Sequence, residues 1–172
     1  MQLLKLRMMR CNIGAGPERR FVVLPNKPSI DLDGYFPYLV NRVGAAVAAR
    51  FTAETLVQQD LSIAMWRVMV VLSAKGAQRQ IDLAGMTAID VSTLSRLVTR
   101  LARRGLVTSN RSKASNREVV IDLSARGRAL VERLIPHGHA IEATMTAGVA
   151  LQDVAAAKRV LRQVYRNLTE GR

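Results

Sequence analysis

Residues Ile81–Leu106 run IDLAGMTAIDVSTLSRLVTRLARRGL, two short helical patterns joined by a turn. In the second pattern Val91, Leu94, Leu97, Val98 and Leu101 recur at helical spacing and are expected to face a core. Ser92, Thr93, Ser95, Arg96, Thr99, Arg100 and Arg103 are left on the opposite side. Small hydroxyls near a helix start let another backbone come close, and the arginines behind them reach phosphates or guanine edges. An ordinary solvated face mixes Glu with Lys. Here no acid occurs between Asp90 and Glu118, so the face suits an anion.

The flanking residues complete a pattern. Gln80–Met86 predicts a short helix packed through Ile81, Leu83 and Ala84. Thr87–Asp90 makes the turn, Asp90 caps a helix running from Val91 to about Arg104, and Gly105 stops it. This is helix-turn-helix spacing, in which the first helix braces and the second lies in the major groove. Beyond it, Leu106–Arg111 and Arg117–Leu123 read as strands joined by the polar turn Ser112-Lys113-Ala114-Ser115-Asn116. A hairpin after a recognition helix is a wing. Arg111 and Arg117 flank its tip and Lys113 sits on it, positioned for phosphate or the minor groove. The bland alternative is a surface hairpin with solubilising charge.

Charge and composition narrow the class. The 172 residues carry 26 Lys/Arg against 13 Asp/Glu, a formal net charge of +13, which favours a polyanionic partner. Residues 76–133 alone hold 11 basic and 5 acidic side chains, so the excess is strong around the helix-turn-helix. With 49% apolar residues the chain can bury a core, which excludes wholesale disorder. The single cysteine, Cys11, cannot form an intramolecular disulfide and suits a reducing compartment. No apolar run reaches bilayer-spanning length and no signal-peptide pattern is visible, so a soluble cytoplasmic protein is expected.

Residues 1–30 stand apart, with no clean hydrophobic period and breaks at Gly14, Gly16, Pro17, Pro25 and Pro28. They form either a loosely ordered extension or a basic arm for DNA phosphate. The rest, 31–172, is expected to be one domain, with the winged helix-turn-helix over about 61–123. A helix is predicted over about 33–58, capped by Asp33 with Pro37 in its first turn. Its stripe Leu39, Val43, Ala46, Val47, Ala53 and Val57 is too wide to be left bare. The next helix, Ser62 to Ala74, is apolar nearly all round and therefore buried, with Trp66 as a core anchor and Lys75-Gly76 at its end.

Ser124 is expected to cap a long helix with Ala129, Leu130, Leu134, Ile135, Ile141 and Met145 on its apolar side and a kink at Pro136. A last helix, about Gln152 to Leu168, carries Val154, Ala157, Leu161, Val164 and Leu168 at steps of three and four. One domain of this size cannot cover both the first and the last helix, so a partner is implied.

The ordered set LSIAMWRVMVVLSAKG, IDLAGMTAIDVSTLSRLVTRLARRGLV and VVIDLSARG resembles the MarR family of winged helix-turn-helix transcriptional regulators over about residues 32–170. The resemblance implies a mainly α fold with a small β-hairpin wing and N- and C-terminal dimerisation helices, about 33–58 and 125–170. It makes the partner a second copy, so that two recognition helices meet a pseudo-palindromic operator. It implies Ser92, Thr93, Ser95, Arg96 and Arg100 as recognition-helix contacts and Arg111 and Arg117 as wing contacts; Thr99 and Lys113 join them from their positions on the face and the tip. Two departures stand out. Ser115-Asn116-Arg117 occupy the place of the family's Asp-Arg-Arg, so the acid that orients an arginine is missing. Gln78-Arg79 replace an apolar residue and threonine, weakening a cap and adding a phosphate-facing charge.

The resemblance also implies a repressor released by a small aromatic acid, phenolic or thioester, bound between the dimerisation helices and the winged domain. Tyr38, Asn41, Arg42, Trp66 and His137 would line that region, with Arg42 pairing a carboxylate and Tyr38 stacking or hydrogen-bonding. The alternative for each is interface packing or a solvated side chain. No Ser-His-Asp order, GxGxxG, P-loop or HExxH is present, so no enzyme and no cofactor is expected. His137 and His139 lack Cys or acid partners for a metal. A nucleic-acid or protein-binding module without an effector is the rival class, but aromatics are few and lie away from the basic face, against base-stacking platforms. A membrane-surface protein would explain the charge but not the hydroxyl-rich helix.

Overall fold

The computed structural model describes residues 30–111 and 119–170. The N-terminal segment with Cys11, and the wing-tip positions Lys113 and Arg117, lie outside the described residues. Helix α1 spans Phe36–Phe51, passes through one π turn at Thr52–Leu56, and ends in a 3-10 turn at Val57–Gln59. The expected Asp33 cap is not the cap: Tyr35 occupies that position without a side-chain bond, and Pro37 sits in the first turn. Asp33 instead gives its amide to Asp31 Oδ1 at 3.2 Å, in the turn before the helix. The expected stripe of α1 stays largely bare on the single chain, and burial begins only at Phe51, Thr55 and Leu56.

Helix α2, Ile63–Lys75, runs through the centre of the core. Ser62 caps it by accepting the Met65 amide at 3.2 Å, and Met65, Val68, Met69 and Leu72 are buried. Trp66, expected as a core anchor, is half-buried and packs against Phe51, ring centroids 5.3 Å apart, which ties the end of α1 to α2. Helices α3 (Gln80–Thr87) and α4 (Val91–Arg103) follow around a turn in which Ala88 takes a left-handed conformation. Leu83 and Ala84 bury α3 and Leu94, Val98 and Leu101 bury α4. Two expected core positions are wrong: Ile81 and Val91 each sit in a first helical turn that rises out of the core, and both are exposed.

Gly105, at φ +66°, reverses the chain after α4 at low steric cost. Strands β2 (Val107–Arg111) and β3 (Val119–Leu123) then pair antiparallel, Val107 opposite Leu123 and Arg111 opposite Val119. The hairpin therefore forms, with β2 starting one residue later than expected; the expected start of the second strand, Arg117 and Glu118, lies outside the described residues. A third strand, β1 (Gln78–Arg79), adds to the outer edge of β3 and gives the order β1-β3-β2. Two residues are too short to show an alternating pattern, so this strand is legible only once β3 is in place.

Helix α5, Ala125–Met145, is capped by Ser124 Oγ accepting the Gly127 amide at 3.0 Å, and it continues through Pro136 as one helix. Its buried side is Leu130, Val131, Leu134 and Ile141. Ala129, Ile135 and Met145, expected there, are exposed: Ala129 and Ile135 fall off that stripe, and Met145 is the last residue of the helix. Helix α6, Leu151–Thr169, has no buried residue at all. It is tied to α5 by the Lys158–Glu142 ion pair. Among the described residues no helix is long and apolar enough to cross a membrane.

Candidate nucleic-acid interface

Helix α4 turns one face to the core and the other outward. Ser92, Ser95, Arg96, Thr99, Arg100 and Arg103 are exposed, and Thr93 is half-buried. The helix start is fixed by Asp90, whose Oδ1 accepts the Thr93 amide at 2.8 Å and the Ser92 hydroxyl at 2.7 Å. Hydrogen bonds from the Thr93 and Ser92 side chains, then the Thr93 amide, hold the Asp90 carboxyl well below the usual carboxylate range. The cap therefore stays ionised across the physiological range, and Ser92 is already engaged by it. Thr99 likewise donates to the Ser95 carbonyl at 2.9 Å, so both hydroxyls sit on the outer face with their donors used.

The arginines divide into three kinds. Arg96 and Arg103 make no hydrogen bond or ion pair among the described residues and are exposed, although the Arg96 charge also favours the ionised Asp90 carboxylate. Arg100 lies 3.6 Å from a carboxylate oxygen of Asp60, in the loop before α2. Arg104 is half-buried and structural: it donates to the main-chain carbonyls of Gln59, at 2.6 Å, and Asp60. Arg133 of α5 donates to the Gln59 side chain at 3.0 Å, so the loop is clamped from both sides. Arg79 corrects an expectation. Its side chain is not left facing phosphate but pairs with Asp82 at 2.6 Å, within the first turn of α3.

The C-terminal end of α4 is locked to the start of α5. Ser124 gives its hydroxyl to the Gly105 carbonyl at 2.6 Å and its amide to the Leu106 carbonyl at 3.1 Å. A Cβ on Gly127 would lie 2.0 Å from that same Leu106 oxygen, so only glycine lets the two backbones meet. Recognition helix, hairpin and α5 are thereby held as one body. The hairpin carries Arg111 to its far end, at the last β2–β3 pair.

The five residues expected around an effector are not gathered into a closed cavity on the single chain. Tyr38 and Trp66 are half-buried, while Asn41, Arg42 and His137 are exposed. Arg42 and Tyr38 do come together, with the guanidinium 5.9 Å from the ring centroid. Shallow, open surface depressions lie instead along α6, beside Arg159, Val160, Arg162, Gln163, Tyr165 and Arg166. Among the described residues no cluster of three His, Cys, Asp or Glu is placed to hold a metal. Sequence reasoning missed Asp60, Gln59, Arg104 and Arg133. The only local sign of them is that Arg104 precedes the helix-ending glycine, where its side chain doubles back onto the preceding loop.

Known proteins share this arrangement. The MarR family model matches residues 61–119, which cover the helix-turn-helix and most of the hairpin. The HTH-type transcriptional repressor NicR of Pseudomonas putida is 27% identical over 107 residues, 58% of this chain and 68% of its own. A MarR family transcriptional regulator from Silicibacter pomeroyi superimposes with a TM-score of 0.71 at 32% identity, over 79% of this chain and 91% of that one. BpsR of Bordetella bronchiseptica, whose DNA binding is regulated by 6-hydroxynicotinic acid, gives 0.68 at 29% identity, over 75% and 97%.

Proposed function

The chain belongs to the MarR family of DNA-binding transcriptional regulators, and from that premise we propose that it is a homodimeric repressor reading a pseudo-palindromic operator through α4. The observation that carries this reading is the outer face of α4, where Arg96 and Arg103 stand exposed with no hydrogen bond among the described residues. In the major groove such arginines, Arg100 with them, donate in pairs to guanine O6 and N7, while Ser92, Thr93, Ser95 and Thr99 pack the groove wall and fix the helix depth. Arg111, Lys113 and Arg117 extend the contact from the wing.

A second copy is favoured by the bare helices at both ends. Val43 is 54% exposed, Leu151 88% and Leu168 73%, and apolar faces of that extent on α1 and α6 are covered in a stable protein. Burying them against their symmetry mates places two α4 helices on one side of the assembly. The cytoplasm is the compartment where such a regulator meets its DNA.

The effector we propose is a small aromatic carboxylate, phenolic or thioester. The relation to BpsR supports this, since that protein responds to an aromatic acid. On this chain Arg42 is the cation for a carboxylate and Tyr38, already beneath it, is the aromatic wall; Asn41, Trp66 and His137 complete the region once a second protomer covers α1. The test is a gel shift on the DNA upstream of its own and neighbouring genes, with excess nonspecific competitor, followed by addition of 6-hydroxynicotinic acid and related aromatic acids. A discrete complex dissolved by an aromatic acid is expected. Binding that smears and vanishes with competitor would favour a generic basic module.

A further inference from the structure

Asp60 is a non-glycine residue held in the left-handed region, at φ +49° and ψ +42°. That conformation costs an aspartate stability that glycine would not lose, and such strain persists where the surroundings fix it and the side chain has a use. The surroundings are explicit: the Asp60 amide donates to the Val57 carbonyl at 3.1 Å, and Arg104 grips the carbonyls of Gln59 and Asp60. The side chain is 77% exposed, so it fills no space in the core. Its carboxylate faces two arginines four residues apart at the C-terminal end of α4, Arg100 in the helix and Arg104 just past it, each at 3.6 Å.

We propose that Asp60 is a specificity-determining positioning residue, which reserves Arg100 for neutral base edges and against phosphate. The inference rests on α4 being the DNA-facing helix. A guanidinium has five N–H donors in a rigid fork. With Nη2 turned to Asp60, the remaining donors can still reach guanine O6 and N7, which carry no net charge. A phosphate at the same place would bring its negative charge beside the Asp60 carboxylate, and like charges at that range repel. Generic DNA, where Arg100 meets phosphate more often than a guanine placed for it, is therefore bound less well than it would be without Asp60. The operator keeps its contact.

The test is Asp60→Asn in the full-length protein. Asparagine tolerates the left-handed conformation at least as well as aspartate, so folding is preserved and the variant isolates the charge. Affinities for the operator duplex and for a scrambled duplex are measured by fluorescence anisotropy over a salt series, with thermal unfolding alongside. Scrambled-duplex affinity should rise roughly three- to tenfold with a steeper salt dependence, from a cation freed for phosphate in each protomer. Operator affinity should rise less, so the specificity ratio falls. In an Arg100→Ala background the same change should leave the ratio where it is. An unchanged ratio and salt slope in Asp60→Asn, or equal losses on both duplexes with a lowered melting temperature, would overturn the inference while leaving α4 as the reading helix. If the wild type prefers no duplex, both fall together.

Discussion

Arg104 Nη2 donates to the Gln59 main-chain carbonyl at 2.6 Å, across 45 residues of sequence. This contact fastens the C-terminal end of the recognition helix to the loop that opens α2, and the same guanidinium binds the Asp60 carbonyl. Its neighbour Arg103 points to solvent. Two adjacent arginines thus have opposite uses, one holding the helix in place and one offered to a partner.

Arg104→Ala should therefore destabilise the fold by about 1–3 kcal/mol, the range for hydrogen bonds made by a charged donor to groups that are left unpaired. Arg103→Ala should stay within about 0.5 kcal/mol of wild type, as surface changes do, yet weaken DNA binding. Urea unfolding and a duplex titration of both variants separate the two; equal stability losses would contradict the division.

Gly127→Ala should be damaging because its new methyl would meet the Leu106 oxygen at 2.0 Å, a backbone atom that cannot rotate aside. Overpacking of that kind costs about 1–3 kcal/mol or more. Gly138, in the middle of α5, has nothing within 4 Å of the same added atom. Gly138→Ala should raise stability by up to about 1 kcal/mol through helix propensity. Thermal unfolding of the pair checks both signs.

The Asp90 cap predicts a pH dependence. Its folded pKa is depressed below the unfolded value near 3.9, so its contribution is present above that value and is lost as pH falls toward the folded pKa. The stability gap between wild type and Asp90→Ala should be full at pH 7 and shrink steadily below about pH 4. A gap that stays constant down to pH 2 would show that the carboxylate charge is not what caps α4.

Arg96→Ala should cost roughly 1–3 kcal/mol on the operator and relax preference at one base pair of each half-site, since its donors are otherwise unused. Lys113→Ala should weaken all duplexes alike and reduce the salt slope by about 1 for each phosphate that is no longer neutralised. Anisotropy titrations at several salt concentrations distinguish the two behaviours.

The recognition helix was legible because its core stripe and its basic face alternate at one clear period, with Asp90 and Gly105 marking the ends. The buried α2 and the hairpin were legible for similar local reasons. Ile81 and Val91 misled because apolar residues in a first turn satisfy the period without reaching the core. Strand β1 escaped because two residues carry no pattern and depend on a partner strand far along the chain. The Arg104–Gln59–Arg133 clamp and the Asp60–Arg100 contact were invisible for the same reason: they are tertiary contacts between charged side chains and a loop, with no periodic signature. Of the residues expected around an effector, Arg42 and Tyr38 come together, whereas Trp66 is taken up by its packing against Phe51.

A hydroxyl-radical footprint on the operator tests the central claim most directly. Two copies of α4 related by a two-fold axis should protect two patches whose centres are about 10–10.5 base pairs apart, or a multiple of that spacing. Arg96→Ala should weaken both patches together, so that more protein is needed to protect them. A single patch, or diffuse protection that moves freely along the duplex and ignores Arg96→Ala, would contradict a dimer that reads sequence through this helix.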